Sequence, residues 1–142
     1  MSRLILRPGR EKALRRRHPW IFSGAVARVE GAPESGDTVE AYSSSGELLA
    51  VAAYSPQSQI RARVWDWRSR TIDRDFFAER VARAARERVE LFGAVTDAVR
   101  LVNAEADGLP GVVADRYDDT IVLQLTSAGA ERWREDLADA LL

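Results

Sequence analysis

The hydrophobic pattern of this chain changes period near residue 70, and that change limits the folds open to it. Before residue 70, short alternating segments are separated by turn signals such as Pro8-Gly9 and Ser43-Ser-Ser-Gly46, which is typical of β-strands. After residue 70, apolar residues recur three or four positions apart, which is typical of helices. The sequence therefore predicts a mixed α/β (α+β) protein with one domain at residues 1–70 and another at residues 71–142.

The first domain is predicted to be a small β pseudo-barrel with one short helix. Candidate strands lie at residues 3–7, 20–29, 37–42, 47–54 and 60–67. The helix is expected from Arg10 to Arg17, because Pro19 drives His18 out of the α region. Short strands at close spacing favour a barrel over a helical bundle.

The second domain is predicted to contain a helix, antiparallel strands and a further helix. Asp73 is the expected N-cap of a helix of about five turns that stops at Gly93. Strands are expected at residues 99–104, 112–116 and 120–125. The final helix has its apolar positions at Trp133, Leu137 and Leu141. Because it reaches Leu142 without a stop signal, we expect a partner or further chain to complete a partial α+β domain.

The formal net charge of −1 conceals opposite charges in the two halves. Residues 1–70 carry 12 Lys or Arg and 7 Asp or Glu, whereas residues 71–142 carry 9 and 15. The positive excess is densest from Arg10 to Arg17, where five of eight residues are cationic and Glu11 is the single acid. Such a cluster binds phosphates by releasing counterions, whatever the base sequence.

This distribution defines a set of candidate RNA-binding residues. A strand at residues 60–67 adds to the cationic helix, because two arginines and two tryptophans share one of its faces, and single-stranded RNA binders combine these residue types. The candidates are Arg10, Lys12, Arg15, Arg16, Arg17, His18, Arg61 and Arg63. Two other interpretations stay open. The charged helix could simply be solvated. The tryptophans could be buried, which is the favoured interpretation for them: Trp20 would pack on the core, and Trp65 and Trp67 would pack under the following helix, at the junction of the two halves.

Composition argues against several kinds of site. Without cysteine the chain has no disulfide, thiolate metal site or cysteine nucleophile, and a single histidine argues against zinc. No segment has the length and apolarity of a signal peptide or a membrane span, so we expect a cytoplasmic protein without a membrane or metal partner. The turn Asp107-Gly-Leu-Pro-Gly111 lies between predicted strands, which argues against a phosphate loop.

Four segments of this chain resemble one protein family. They are GREKALRRRHPWIFSGAVARVEG, AAYSPQSQIRARVW, AEADGLPGVVADRY and VLQLTSAGAE, in that order. They are similar to the N-terminal portion of bacterial large-subunit (23S) ribosomal RNA cytosine-5 methyltransferases of the RlmI type. The resemblance implies a PUA domain, a small RNA-binding pseudo-barrel, at residues 1–70 and the start of a central α+β domain at residues 71–142.

The extent of the resemblance limits the function that it implies. The family ends in a Rossmann-like domain that binds S-adenosylmethionine and carries the catalytic cysteine, and this chain has no counterpart of that domain. We therefore expect a fragment that recognises ribosomal RNA, with no catalytic residue, no cofactor of its own and no methyl transfer when alone. The alternative is a protein-interaction or dimerisation module, such as a homodimer. A third possibility is a small enzyme that uses the acidic residues of the second hairpin.

Overall fold

The computed structural model describes residues 1–92 and 98–142, and it divides into two compact units, Met1–Arg70 and Thr71–Leu142. The first unit consists of β1 (Arg3–Leu6), α1 (Glu11–Arg15), β2 (Trp20–Phe22), a 3-10 turn (Ser23–Ala25), β3 (Val26–Glu30), β4 (Thr38–Tyr42), β5 (Leu48–Tyr54) and β6 (Ile60–Asp66). The second consists of α2 (Arg74–Phe92), β7 (Ala98–Asn103), a 3-10 helix (Ala104–Asp107), β8 (Val112–Tyr117), β9 (Thr120–Leu125), α3 (Ala128–Arg132) and α4 (Arg134–Leu141).

One curled six-stranded sheet forms the first unit. Its strand order is β2-β6-β5-β4-β1-β3, and every neighbouring pair is antiparallel except β1 and β4, which are parallel. Alternate residues such as Val39, Ala52 and Val64 turn into a common core that also contains Leu14 of α1. The predicted fold class, a mixed α/β protein with a PUA-like half-barrel, is confirmed.

Helix α1 is shorter than predicted. It ends at Arg15, because Arg17 takes a left-handed conformation with φ of 66°. The Arg17 N–H donates to the Leu14 carbonyl (2.9 Å) and the His18 N–H donates to the Ala13 carbonyl (3.0 Å), the two bonds of a Schellman motif. Of the two apolar residues of α1, Leu14 is buried on the barrel and Ala13 is exposed.

The second unit packs α2 against β7 and α4, beside an antiparallel sheet of order β7-β8-β9. The predicted N-cap is confirmed, since the Phe76 N–H donates to Asp73 Oδ1 at 3.0 Å. Phe77, Val81 and Ala84 are buried along one face of α2. The expected stop at Gly93 lies outside the described residues. Over residues 1–92 and 98–142, no helix is long and apolar enough to cross a membrane.

The single final helix of the prediction is wrong, because the structure has two. Ser127 begins α3 as an N-cap, its Oγ accepting from the Ala130 N–H at 3.1 Å. Trp133 then leaves helical geometry, with φ of −101° and ψ of 20°, before α4 continues. Its ring packs against Phe77, with centroids 5.0 Å apart, so a tertiary contact accompanies the break between α3 and α4.

Candidate nucleic-acid interface

Helix α1 presents its cations to solvent. Its one buried residue is Leu14, which is 4% exposed and anchors the helix on the barrel. The surrounding cations are all exposed, namely Arg10, Lys12, Arg15, Arg16 and Arg17. Within the described parts of the chain, Arg15 is the one member of this set that forms an ion pair. The other four cations can therefore bind an anion without first breaking an ion pair with a carboxylate.

A groove separates α1 from β2, and we call it the α1–β2 groove. Three cations, Arg10, Lys12 and Arg16, line it on the side of α1. Two aromatic rings, Trp20 and Phe22, line it on the side of β2. The remaining lining residues are Leu6, Gly9, Ala13, Leu14, Ile21 and Ala25, and the cavity is about 300 Å³. Cationic and aromatic side chains thus face one cavity large enough for a small ligand group.

The two aromatic rings of this groove form a cluster with the ring of His18. The centroids of His18 and Trp20 are 6.0 Å apart, and those of Trp20 and Phe22 are 6.2 Å apart. His18 Nδ1 also accepts a hydrogen bond from the Trp20 N–H at 3.3 Å. The favoured placement of Trp20 in the core is wrong: Trp20 is half-buried outside the core cluster, and its neighbour Ile21 is the buried residue. Phe22 is 47% exposed.

Strand β6 brings a further cation to the same face. Arg63 lies opposite Trp20 in the β2–β6 pair, and directly opposed residues share a face of the sheet. Arg61 lines neither groove, and its Nε donates to the Ser58 carbonyl at 3.3 Å. Trp65 is 2% exposed, which agrees with the interior placement favoured for it.

A second groove lies on the other side of α1, and we call it the α1–β5 groove. It is lined by Leu14, Arg15, Arg17, Glu47, Leu48, Leu49 and Trp67, with a volume of about 330 Å³. The Arg17 guanidinium lies over the Trp67 ring, 5.1 Å from its centroid. Trp67 itself is partly buried against the core cluster.

Arg15 forms a two-bond ion pair across the α1–β5 groove. Its Nη2 donates to Glu47 Oε2 at 2.6 Å and its Nη1 donates to Glu47 Oε1 at 3.2 Å. These hydrogen bonds, with the charges behind them, lower the pKa of Glu47 below its ordinary value and raise the pKa of Arg15. Both side chains are about half exposed, at 48% and 55%, so solvent and other anions reach the pair.

Sequence reasoning overlooked two residues of the grooves. Phe22 could have been found, because it alternates with the apolar Ile21 and so points to the outer face. Glu47 has no local signal, since its partner Arg15 lies 32 positions away in the chain.

Residues 4–67 match the family of PUA-like domains. The match contains every residue that lines the two grooves. Residues 4–67 form a PUA-like domain. The resemblance seen in the sequence is thereby confirmed for the part of the chain that carries the candidate site.

The whole chain is also similar to known ribosomal RNA methyltransferases. Over 98% of its length it is 50% identical to the ribosomal RNA large subunit methyltransferase I of Vibrio cholerae, and it covers 35% of that protein. It is 53% identical, over 98% of its length, to the protein of the same name from Erwinia tasmaniensis, of which it covers 36%. The chain thus spans about a third of these relatives, and the PUA-like domain accounts for part of that span.

Two solved structures share the fold. One is a Streptococcus mutans protein assigned as a SAM-dependent methyltransferase, with a TM-score of 0.83 over 99% of this chain and 37% of that one. The other was solved with bound SAH and is also assigned as a methyltransferase, with a TM-score of 0.84 and the same coverage. Sequence identity is 20% in both cases, so these neighbours support the fold alone.

Outside the PUA-like domain, two acidic residues near the second hairpin are held by arginines. Asp107 is buried and pairs with Arg88, whose Nη2 donates to Asp107 Oδ2 at 3.1 Å. Asp115 accepts from Arg100 Nε at 2.9 Å, and this bond raises the pKa of Arg100. No group of three or more His, Cys, Asp or Glu suited to a metal occurs within the described ranges. Both acids are thus engaged in structural pairs.

The Gly108–Gly111 turn does not fit S-adenosylmethionine. It connects the 3-10 helix to β8, and no helix begins at it. A Cβ at Gly108 would collide with Arg80 Nη1, which shows that a side chain of α2 already fills the space beside the glycine. A nucleotide-type loop instead leaves its glycines open to the ligand at a helix N-terminus.

Proposed function

We propose that this chain is the RNA-recognition portion of a SAM-dependent 23S ribosomal RNA (cytosine-5) methyltransferase in the cytoplasm. The observation that carries the proposal is the α1–β2 groove, which combines cations that have no carboxylate partner in the described chain with an exposed aromatic ring. Its position within a PUA-like domain, and the similarity to large-subunit ribosomal RNA methyltransferases, support ribosomal RNA as the partner.

The two walls of the groove suit different parts of a nucleotide. Arg10, Lys12 and Arg16 would neutralise phosphates and release their counterions. Phe22 would stack on an unpaired base. Trp20, with Arg63 beside it, would contact the edge of the same base. Bases in a duplex are not available for such stacking. We therefore expect single-stranded segments or loops of ribosomal RNA to bind.

The two units would have unequal roles. Residues 1–70, which contain the PUA-like domain, would provide the RNA-binding face, and residues 71–142 would be an incomplete central domain. Methyl transfer to cytosine C5 in the RlmI-type family depends on a cysteine, and this chain has none. We therefore expect it to bind RNA without methylating it.

Fluorescence anisotropy with a labelled single-stranded RNA of about 12 nucleotides tests the proposal. Lys12→Ala/Arg16→Ala removes two charges from α1. Arg83→Ala/Arg86→Ala removes two exposed charges from α2 and is the matched control. The first pair should weaken binding and reduce the slope of log K against log salt by about 1.4, while the control changes neither. Equal slopes for wild type and Lys12→Ala/Arg16→Ala would contradict the proposal.

A protein-interaction or dimerisation module is the second candidate function. An apolar depression of about 150 Å³ in the second unit supports it, lined by Ile121, Leu123, Ala138, Leu141 and Leu142. Light scattering separates the two functions, since a stable dimer that binds no RNA would favour this one.

A further inference from the structure

Arg17, which lines the α1–β5 groove, has a backbone conformation that is unusual for an arginine. Arg17 follows the C-cap of α1, at the position where helices usually place a glycine in the left-handed conformation. It adopts that conformation, with φ of 66°, although it has a long cationic side chain. A residue held in a sparsely populated conformation suggests a function for its side chain. Here the guanidinium lies over the Trp67 ring, with its Cζ 5.1 Å from the ring centroid.

A guanidinium that contacts an aromatic ring still has five N–H donors for hydrogen bonds. Arg17 forms no ion pair with any carboxylate in the described chain, so those donors remain available to an anion. Arg15 lines the same cavity of about 330 Å³, and its guanidinium is engaged by Glu47 through two hydrogen bonds. The groove therefore contains two guanidinium groups and one carboxylate.

We propose that the α1–β5 groove is a second phosphate-binding subsite, in which an RNA phosphate replaces Glu47 as the partner of Arg15. This inference rests on the proposed RNA-binding function and deepens it. A phosphate offers the same two-oxygen geometry to a guanidinium as a carboxylate does. The exchange would bring the phosphate beside Arg17, which no carboxylate of the described chain neutralises.

Glu47 would then limit how tightly the domain holds nonspecific polyanions. While the pair is closed, Arg15 adds no net charge to the face, and an incoming phosphate must break two existing hydrogen bonds. The pair is about half exposed, so it can open without unfolding the domain. An RNA that fills both grooves would lie on both sides of α1, with the helix between its contacts.

Two substitutions with opposite expected effects test the subsite by anisotropy with the same labelled RNA. Glu47→Gln should tighten binding about fourfold near physiological salt and increase the salt slope by about 0.7. Arg17→Gly should weaken binding by a similar factor while leaving the thermal unfolding midpoint unchanged or raised, because glycine suits the left-handed position. If Arg17 had only a structural role, the Arg17→Gly variant would keep both its stability and its RNA affinity.

Matched controls separate phosphate exchange from general charge effects. Glu131→Gln removes an equally exposed acid that pairs with Arg134 in the second unit, and it should not change RNA binding. In an Arg15→Ala background, Glu47→Gln should tighten binding less than in wild type. An equal gain in both backgrounds would overturn the subsite. So would unchanged binding by Glu47→Gln and Arg17→Gly, if Lys12→Ala/Arg16→Ala still weakens binding. Either result would leave the proposed function standing. No RNA binding by wild type would overturn both.

Discussion

Trp20 and Arg63 face each other across the β2–β6 pair, while the adjacent residues Ile21 and Ala62 face each other in the core. This register places an indole and a guanidinium together on the outer face of an edge strand. Because the alternation continues, Phe22 reaches the same face as Trp20, and their rings lie 6.2 Å apart. The outward aromatic face of β2 is thus fixed by the burial of one isoleucine.

Replacement of Phe22 by alanine should separate RNA binding from stability. Phe22 is 47% exposed, so its loss should change the free energy of unfolding little, while the loss of a stacked base should weaken RNA binding by about 1–3 kcal/mol. Ile21→Ala is the opposite case, since Ile21 is buried and its loss should destabilise the domain by about 2–5 kcal/mol. Anisotropy and urea unfolding on both variants check this; unaltered RNA affinity in Phe22→Ala would rule out stacking on that ring.

The pKa of Glu47 should report the ion pair with Arg15. Hydrogen bonds from Arg15 lower this pKa in the folded state, so the pair stabilises the fold above the ordinary pKa of glutamate and loses that effect as the pH falls through the lowered value. A carbon-detected NMR titration should place the Glu47 carboxyl below an ordinary glutamate, and Arg15→Ala should return it toward that value. The same midpoint with and without Arg15 would show that the pair does not persist in solution.

Strands and caps were predictable because their causes are local. Alternation located β6, and an Asp at the right distance from an apolar helical face located the start of α2 at Asp73. The end of α1 was not predictable from composition. Pro19 is a strong local stop, yet the helix ends earlier, through a left-handed Arg17 whose side chain is held by Trp67, 50 positions along the chain.

In the candidate site, too, one part was predictable from local sequence and another part was not. The density of cations around α1 is a property of eight consecutive residues and could be read directly. Which cations share a groove, and which one is already paired, depends on where the β4–β5 hairpin places Glu47. A sequence pattern treats Arg15 and Arg16 alike, whereas the structure pairs the first and leaves the second in the groove beside the aromatic rings.

Asp107 should be important for the stability of the second unit. Its carboxylate is 5% exposed, accepts from the Asn103 N–H at 2.6 Å and pairs with Arg88. Asp107→Asn would leave Arg88 without its charge partner and should cost about 3–5 kcal/mol in urea unfolding. Asp139→Asn, which removes an exposed partner of Arg74, should cost about 1 kcal/mol or less. Similar costs for the two variants would contradict a structural role for the buried pair.

A side chain at Gly108 should be destabilising, for two separable reasons. Its φ of +69° is strained for any L-residue, and a Cβ there would collide with Arg80 Nη1, whose hydrogen bond to the Gly108 carbonyl is 2.8 Å long. Gly46 has a similar φ of +90° but open space around its Cβ, so Gly46→Ala carries the conformational cost alone, about 1–2 kcal/mol. Gly108→Ala should therefore destabilise its own unit more than Gly46→Ala destabilises the first. Amide hydrogen exchange at Leu109, which donates to the Ala104 carbonyl, measures the loss locally. A loss no larger than the conformational cost found for Gly46→Ala would mean that Arg80 moves aside at no cost.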